Sequence, residues 1–190
     1  MGLLKSIFGG RSDPPKANLD NLFAVPSAAV TLEASSGFKS TGVAAVCYRA
    51  AEGGAFASTQ HDVQELLDMD AGPKVERSTD EFGFTWLLCR KDPSDISSLI
   101  TDVHAVNSTL ENAGFGSALL CSLVVFADDT RRFGLVYLYK QGTFYPFAPK
   151  PNQQRDNALE LQVRAELGGD LPIEPALTRW MAVWGAPGLS

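Results

Sequence analysis

The sequence predicts an α+β protein with a largely antiparallel sheet and flanking helices. Apolar residues recur with a period near 3.6 from Ile96 to Leu110, which indicates a helix. Three strand-like segments follow, at residues 118–127, 133–140 and 143–147. Because strands joined by short turns pair antiparallel, these three form a β-meander. A helix over about residues 152–167 completes a helix–β-meander–helix arrangement in the C-terminal half.

The N-terminal half is predicted to contribute to the same sheet. A helical turn at residues 18–23 is expected to end before Pro26, because a residue that precedes proline is disfavoured in a helix. The segment 82–90 is almost continuously apolar, which is typical of a central strand. The other predicted elements are a strand at 30–34, a strand at 41–49 and a helix with its N-cap at Ser58.

Two units are predicted along the chain: residues 1–16 as a short amphipathic helix with a linker, and residues 17–190 as a single α+β domain. On a helix over residues 2–8, one face holds Leu3, Leu4, Ile7 and Phe8. Burying four such side chains gains about 6–12 kcal/mol, at ~1.5–3 each. Ordering the segment costs about as much. The helix is therefore not expected to anchor a membrane alone, and contact with a partner or with its own domain stays open.

Composition narrows the classes of function. The chain has 190 residues, a net charge of −6 and a pI near 4.9. Nucleic-acid binding requires clustered basic residues, so it is not expected. No apolar run approaches the roughly 18 residues that span a bilayer, and a cytoplasmic location is predicted with at most peripheral membrane contact. The three cysteines lie within apolar segments, which favours buried thiols over disulfides.

The sequence contains no recognisable reaction chemistry. It has two histidines, His61 and His104, and neither lies in a metal-binding spacing. Nucleophile elbows, phosphate-binding loops and dinucleotide fingerprints are absent from the sequence. We therefore expect no catalytic residue, metal or cofactor, and an enzyme whose site is assembled from distant residues around the histidines is the remaining enzymatic alternative.

Aromatic side chains are the best candidates for a contact surface. Phe82, Phe84 and Trp86 alternate and therefore share one face of the sheet, and the same holds for Tyr137 and Tyr139. Such rows either fill the core beneath a helix or line a groove for a partner. Together with the N-terminal face, the candidate partner or membrane contacts are Leu3, Leu4, Ile7, Phe8, Tyr137, Tyr139, Tyr145, Trp180 and Trp184.

Several long blocks of the chain resemble the PspA-associated protein PspAB family. The likeness covers nearly the whole sequence, although none of the blocks has an assigned catalytic role. The blocks are FAVPSAAVTLE at 23–33, STDEFGFTWL at 78–87, LVYLYKQGTFYPF at 135–147, RDNALEL at 155–161 and WGAPG at 184–188.

The resemblance implies a cytoplasmic accessory factor of the phage-shock envelope-stress response. It implies association with PspA, a helical membrane-remodelling protein, or with the HtpX membrane metalloprotease, and it assigns no functional residue. The expected function is a non-enzymatic adaptor or regulator. By analogy, the helix–β-meander–helix order is similar to the type III secretion chaperone fold, so a chaperone-like holder of client polypeptides is the alternative. A homodimer is compatible with either function.

Overall fold

A computed structural model describes residues 18–69 and 74–189 and confirms the α+β class. The N-terminal helix predicted over residues 2–8 lies outside the described residues. The described helices are α1 (Val25–Ser36), α2 (Gly54–Asp68), α3 (Ile96–Leu110) and α4 (Asn157–Leu167). The strands are β1 (Lys39–Arg49), β2 (Glu76–Thr79), β3 (Phe84–Arg90), β4 (Leu119–Ala127), β5 (Arg132–Leu138), β6 (Thr143–Phe147), β7 (Pro149–Lys150) and β8 (Gln154–Arg155).

The main sheet of the described chain has six strands in the order β2-β3-β1-β4-β5-β6, and every neighbouring pair is antiparallel. The predicted meander is confirmed as β4, β5 and β6, enclosed in sequence by α3 and α4. The two halves of the chain meet at the centre of the sheet, where β1 pairs with β4. Strands β7 and β8 form a separate small hairpin between β6 and α4.

Both faces of the central strands are buried, and they contact different parts of the chain. In β1, Ala44, Val46 and Tyr48 belong to a core shared with all four helices, which we call the helix-side core. The intervening Ala45 and Cys47 belong to a second core on the opposite face. This alternation follows from the two-residue period of a strand, and it means that each face requires a cover.

The helix-side core is built mainly on α3. Its apolar positions Leu99, Ile100 and Val103 are fully buried, as the 3.6-residue period predicted. Asp95 is the N-cap residue, and its side chain accepts a hydrogen bond from the backbone N–H of Ser98. The predicted helix is therefore confirmed from Ile96 to Leu110.

The strand predicted at residues 30–34 is wrong, because this segment is part of α1. Pro26 lies in the first turn of α1, where proline is favoured because its missing N–H has no intrahelical partner there. The buried positions of α1 are Val25, Ala28 and Leu32, a helical spacing, whereas Val30 is 69% exposed. Pro26 thus begins a helix instead of ending one, and a 3-10 turn at Leu19–Ala24 leads into it.

Three other predicted boundaries are shifted. The second helix begins at Gly54, so Ser58 lies inside it and is not its N-cap. Strand β3 begins at Phe84, and Phe82 lies in the turn before it. Helix α4 begins at Asn157, because the preceding residues turn back as the β7–β8 hairpin, in which Asn152 and Gln153 adopt positive φ. Local turn geometry, not apolar period, determines these starts.

We predict that Gly42→Ala destabilises the protein more than Gly37→Ala does. The two glycines have nearly equal φ angles, 74° and 77°. Any side chain at that φ costs about 1–2 kcal/mol. A Cβ at Gly37 would meet no atom within 4 Å, whereas one at Gly42, beside the bulge in β1, would collide with the carbonyl oxygen of Lys91. The expected additional loss for Gly42→Ala is about 1–3 kcal/mol.

Urea unfolding of both glycine variants and the unchanged protein measures this difference. Gly37→Ala is the matched control for the cost of the left-handed backbone alone. Equal losses in the two variants would show that strand β1 shifts away from Lys91 without cost, and would contradict the close approach at Gly42.

Candidate functional site

The second face of the sheet is covered by the C-terminal tail, residues 171–189. Within the described residues, the regular structure of this tail consists of one 3-10 turn at Leu177–Arg179 and a single bridge from Ile173 to the sheet. Trp180, Ala186 and Leu189 are buried against the sheet, where they share a core with Trp86 and Val136. This tail-side core is the layer opposite the helices.

Hydrogen bonds along the edge of β6 hold the beginning of the tail. The backbone N–H of Phe144 donates to Pro172, and the N–H of Glu174 donates to the carbonyl of Phe144 at 2.7 Å. The Glu174 side chain is 1% exposed, and its carboxylate accepts hydrogen bonds from Thr143 and from the backbone of Ala176. The tail therefore extends the sheet beside β6 and covers that edge.

A buried ion pair holds the middle of the tail. Arg155 Nε lies 2.9 Å and 3.2 Å from the two carboxylate oxygens of Glu160, whose side chain is 4% exposed. Arg155 Nη1 donates to the carbonyl oxygen of Trp180 at 2.6 Å. Glu160 also accepts from the backbone N–H of Ala148. Arg155 thus connects the tail, at Trp180, to Glu160 of helix α4. Glu160 in turn contacts the end of β6 through Ala148.

The tail covers its face of the sheet incompletely and leaves a cavity of about 340 Å³, which we call the tail cavity. Its walls come from β1, β3, β4, β5 and β6 on one side and from residues 181–184 of the tail on the other. The lining is mainly apolar, and includes Phe84, Trp86, Leu120, Leu138, Tyr145 and Trp184. A cavity of this size and character is in the range of binding pockets for small apolar ligands or side chains.

Apolar side chains are exposed at the rim of the tail cavity. Phe82 is 64% exposed and Met181 is 63% exposed, and both line the cavity. Exposed single apolar residues are ordinary, but two large ones beside an apolar cavity extend its contact surface. Lys140 and Gln141, from the turn after β5, form another part of the rim.

Asp80, an acidic residue that lines the cavity, accepts hydrogen bonds from other groups of the protein. Its carboxylate accepts hydrogen bonds from the backbone N–H groups of Phe82 and Phe84 and from the indole N–H of Trp86, at 2.9–3.0 Å. These contacts shape the turn between β2 and β3 and orient the Trp86 ring. Asp80 thus stabilises the cavity wall.

Two of the three cysteines face the tail cavity. Cys47 on β1 and Cys121 on β4 are directly opposite each other in the sheet, and both line the cavity. The hydrogen bond with Cys121 and burial both raise the pKa of Cys47. Cys89 lies on the other face among the helices, where burial raises its pKa to about 12. All three are buried free thiols, as the sequence predicted.

The residues predicted to contact a partner lie on opposite faces of the sheet. Tyr137 and Tyr139 are buried in the helix-side core, so they fill the core beneath the helices. Tyr145 and Trp180 are buried in the tail-side core and stack on each other, with ring centroids 5.9 Å apart. Trp184 lines the cavity against the edge of the Phe147 ring. Trp180 and Trp184 follow an irregular path, not a helix. Leu3, Leu4, Ile7 and Phe8 lie outside the described residues.

The sequence patterns did not predict that the tail forms one wall of a cavity. The alternating aromatic residues Phe82, Phe84 and Trp86 were the available indication of the opposite wall, on the sheet, and the structure places all three there. Met181 and Leu138 had no such signal, because their meeting depends on where the irregular tail crosses the sheet. Local patterns do not encode that path.

The two histidines lie on different helices, each beside an acidic residue. His61 lies on α2 beside Glu65 at 3.2 Å, and His104 lies on α3 beside Asp20 at 4.0 Å and against the Phe23 ring. Across residues 18–69 and 74–189, no group of three or more His, Cys, Asp or Glu side chains could hold a metal ion. Within that same part of the chain, no helix has the length and apolarity needed to cross a bilayer.

Comparison with known proteins supplies the context for this site. The model of the family described as PspA associated protein B matches residues 1–188. Neither the comparison with curated proteins nor the comparison with solved structures found a match. The similarity to the type III secretion chaperone fold therefore stays a prediction.

We predict that Arg155→Ala releases the tail and lowers the free energy of unfolding by about 3–5 kcal/mol, since it leaves the Glu160 carboxylate buried without its partner. Arg164→Ala is the matched control. Arg164 lies on α4, the helix that also carries Glu160, with its guanidinium 6.0 Å from the Trp180 ring, a contact worth about 0.5–1 kcal/mol. Urea unfolding followed by tryptophan fluorescence compares the two variants, and similar losses would contradict the role of the buried pair.

We predict that Glu174 stabilises the fold in a pH-dependent way. Burial alone would raise its pKa, but hydrogen bonds from Thr143 and Ala176 and the nearby Arg179 outweigh it and hold the pKa below the ordinary value of 4.5. The charged form is therefore favoured by folding. Its contribution is complete above the unfolded-state pKa and is lost as the pH falls through the lower folded-state pKa.

Unfolding of the unchanged protein and of Glu174→Gln across a pH series measures this contribution. The stability advantage over Glu174→Gln should be constant between about pH 6 and pH 8 and should shrink below about pH 4.5. An advantage that grows on acidification would contradict the proposed sign.

Proposed function

Because the chain belongs to the PspA associated protein B family, we propose that it is a non-enzymatic adaptor or regulator that binds PspA in the phage-shock envelope-stress response. The family description links the chain to PspA. The adaptor role, its place at the cytoplasmic face of the membrane and the response itself belong to the proposal.

The tail cavity with its exposed apolar rim is the observation that carries the proposal. A partner helix that inserts one apolar side chain into the cavity would also cover Phe82 and Met181, which are 64% and 63% exposed. Recognition of an amphipathic helix by an apolar groove is a recurrent mode of protein binding. The family resemblance implies that the partner, PspA, is a helical protein. Its helices could therefore bind in an apolar groove of this kind.

The polar groups of the cavity support binding more than catalysis. Asp80 is occupied by three donors within the wall, and the facing thiol of Cys47 has a raised pKa, which disfavours the nucleophilic thiolate. A nucleophile paired with a base is the usual basis of covalent catalysis, and the two thiols facing each other offer no base.

We predict that Phe82→Asp or Met181→Asp reduces recovery of PspA with this protein from stressed cells by about tenfold or more. A buried apolar anchor contributes about 1.5–3 kcal/mol, and 1.4 kcal/mol corresponds to tenfold in affinity. Val30→Asp is the matched control, since Val30 is 69% exposed on the helix side of the molecule. The three substitutions add the same charge at exposed positions.

Equal recovery of PspA with the rim variants and with Val30→Asp would refute the tail cavity as the binding site. Recovery of an HtpX-type protease in place of PspA would change the partner but keep the adaptor role. Recovery of neither, under membrane stress or without it, would refute the adaptor role. In that case suppression of client aggregation at stoichiometric amounts tests the chaperone-like alternative.

A further inference from the structure

The polar side chains in the wall of the tail cavity already have partners within the protein. Asp80 accepts a hydrogen bond from the indole N–H of Trp86, and the hydroxyl of Tyr145 donates to a backbone carbonyl of the tail at 2.8 Å. Cys47 is hydrogen-bonded to Cys121, its neighbour across β1 and β4. An occupant gains no hydrogen bond from these side chains, so an apolar group suits the interior best.

A lysine lies at one side of the opening of the tail cavity. Lys140 and Gln141, in the turn after β5, are exposed and line the cavity. Within residues 18–69 and 74–189, the ammonium group of Lys140 has no ion pair or hydrogen bond. Its N–H donors are therefore available to a carboxylate, and a charge-assisted hydrogen bond of this kind is stronger than a neutral one.

The acidic residues near the opening lie at its other side. Asp80 and Glu81 are in the turn between β2 and β3, and the sheet order β3-β1-β4-β5 separates this turn from Lys140 by three strand spacings. At ~4.8 Å per spacing the separation is roughly 14 Å, which exceeds the screening length of about 8 Å at physiological ionic strength. A negative charge beside Lys140 is therefore largely shielded from both carboxylates.

The cations of a neighbouring cavity, on the other side of Trp184, are already engaged. Arg132 and Lys150 line that cavity. Lys150 Nζ lies 3.0 Å from the Asp156 carboxylate, and Arg132 Nη1 donates to the carbonyl oxygen of Gly188 at 3.1 Å. An anionic head group is therefore expected beside Lys140 and not in this second cavity.

We propose that the tail cavity binds one free single-chain anionic amphiphile, such as a fatty acid, with its alkyl chain inside and its carboxylate at Lys140. The chain crosses the strands from β5 towards β3, over the facing Cys121 and Cys47. The cavity volume of about 340 Å³ is at the lower end of the ~300–1,000 Å³ typical of ligand pockets, which favours one chain over the two chains of a phospholipid. A path of roughly 14 Å suits an extended chain such as that of laurate.

Calorimetric titration of the full chain with monomeric laurate tests the head-group contact. Lys140→Met should weaken laurate binding by about fivefold, the upper end for an exposed charge pair. Lys39→Met is the matched control, since Lys39 begins β1 at the end of that strand away from the cavity, and it should leave the affinity unchanged. Dodecylamine, which has the same chain with a cationic head, should bind the unchanged protein more weakly than laurate by about tenfold or more.

Three results of the titration would overturn the proposal: no binding of laurate, equal affinities for laurate and dodecylamine, or equal losses in the two lysine variants. Binding to vesicles of phosphatidylglycerol without binding of free laurate would also overturn it, because the occupant would then be a membrane lipid.

Photo-crosslinking locates the alkyl chain in the unchanged protein. A laurate analogue with a diazirine at the end of its chain should form an adduct on Phe84 or Trp86, the residues of β3 that line the cavity. An excess of unlabelled laurate should remove that adduct. An adduct confined to the exposed Phe23 and Val30 of the helix side, or to the second cavity beside Lys150, would overturn the proposal.

Neither measurement contains PspA, so failure of this proposal is distinct from failure of the adaptor role. A regulatory meaning rests on the proposed function, because the amphiphile and a partner helix would use one cavity. Laurate should then lower the recovery of purified PspA with the unchanged protein more than with Lys140→Met. Unchanged recovery in the presence of bound laurate would refute this competition and leave the ligand site in place.

Discussion

The central constraint on this structure is that β1 and β4 are buried on both faces. Tyr48 and Val46 contact the helices, while Ala45 and Cys47 face the other way and also lie in a core. A sheet with two apolar faces needs two covers to remove that area from water. The helices supply one cover, and the irregular C-terminal tail supplies the other. The tail covers its face incompletely and leaves the tail cavity.

The tail is held by buried polar contacts more than by its own secondary structure. Glu174 fixes its start on β6, and the Arg155–Glu160 pair fixes its middle through Trp180. Such contacts are directional, so they determine where the tail crosses the sheet and how wide the cavity is. Stability and recognition are therefore coupled here: a change that loosens the tail also changes the surface offered to a partner. Binding segments held on a rigid scaffold in this way are common in proteins.

The segments with strong local signals were predictable, and those defined by their neighbours were not. The period of α3 and the turns of the meander identified the C-terminal half. Strand β2 was missed because Glu76–Thr79 is wholly exposed and has no apolar pattern, and it is a strand only through its pairing with β3. Residues 30–34 are predicted as a strand and include the β-branched Val30 and Thr31, but the contacts of α1 with the core outweigh the weak preference of such residues for strands.

Local patterns in the sequence specify the α+β class, the family, and the two faces of β5, with Tyr137 on one and Val136 on the other. Which face is covered by the helices and which by the tail is known only from the folded chain. A two-residue alternation distinguishes two faces, but it does not specify what covers either one. That choice depends on contacts between distant residues, such as Tyr145 with Met181 and Arg155 with Trp180, and no local pattern records them.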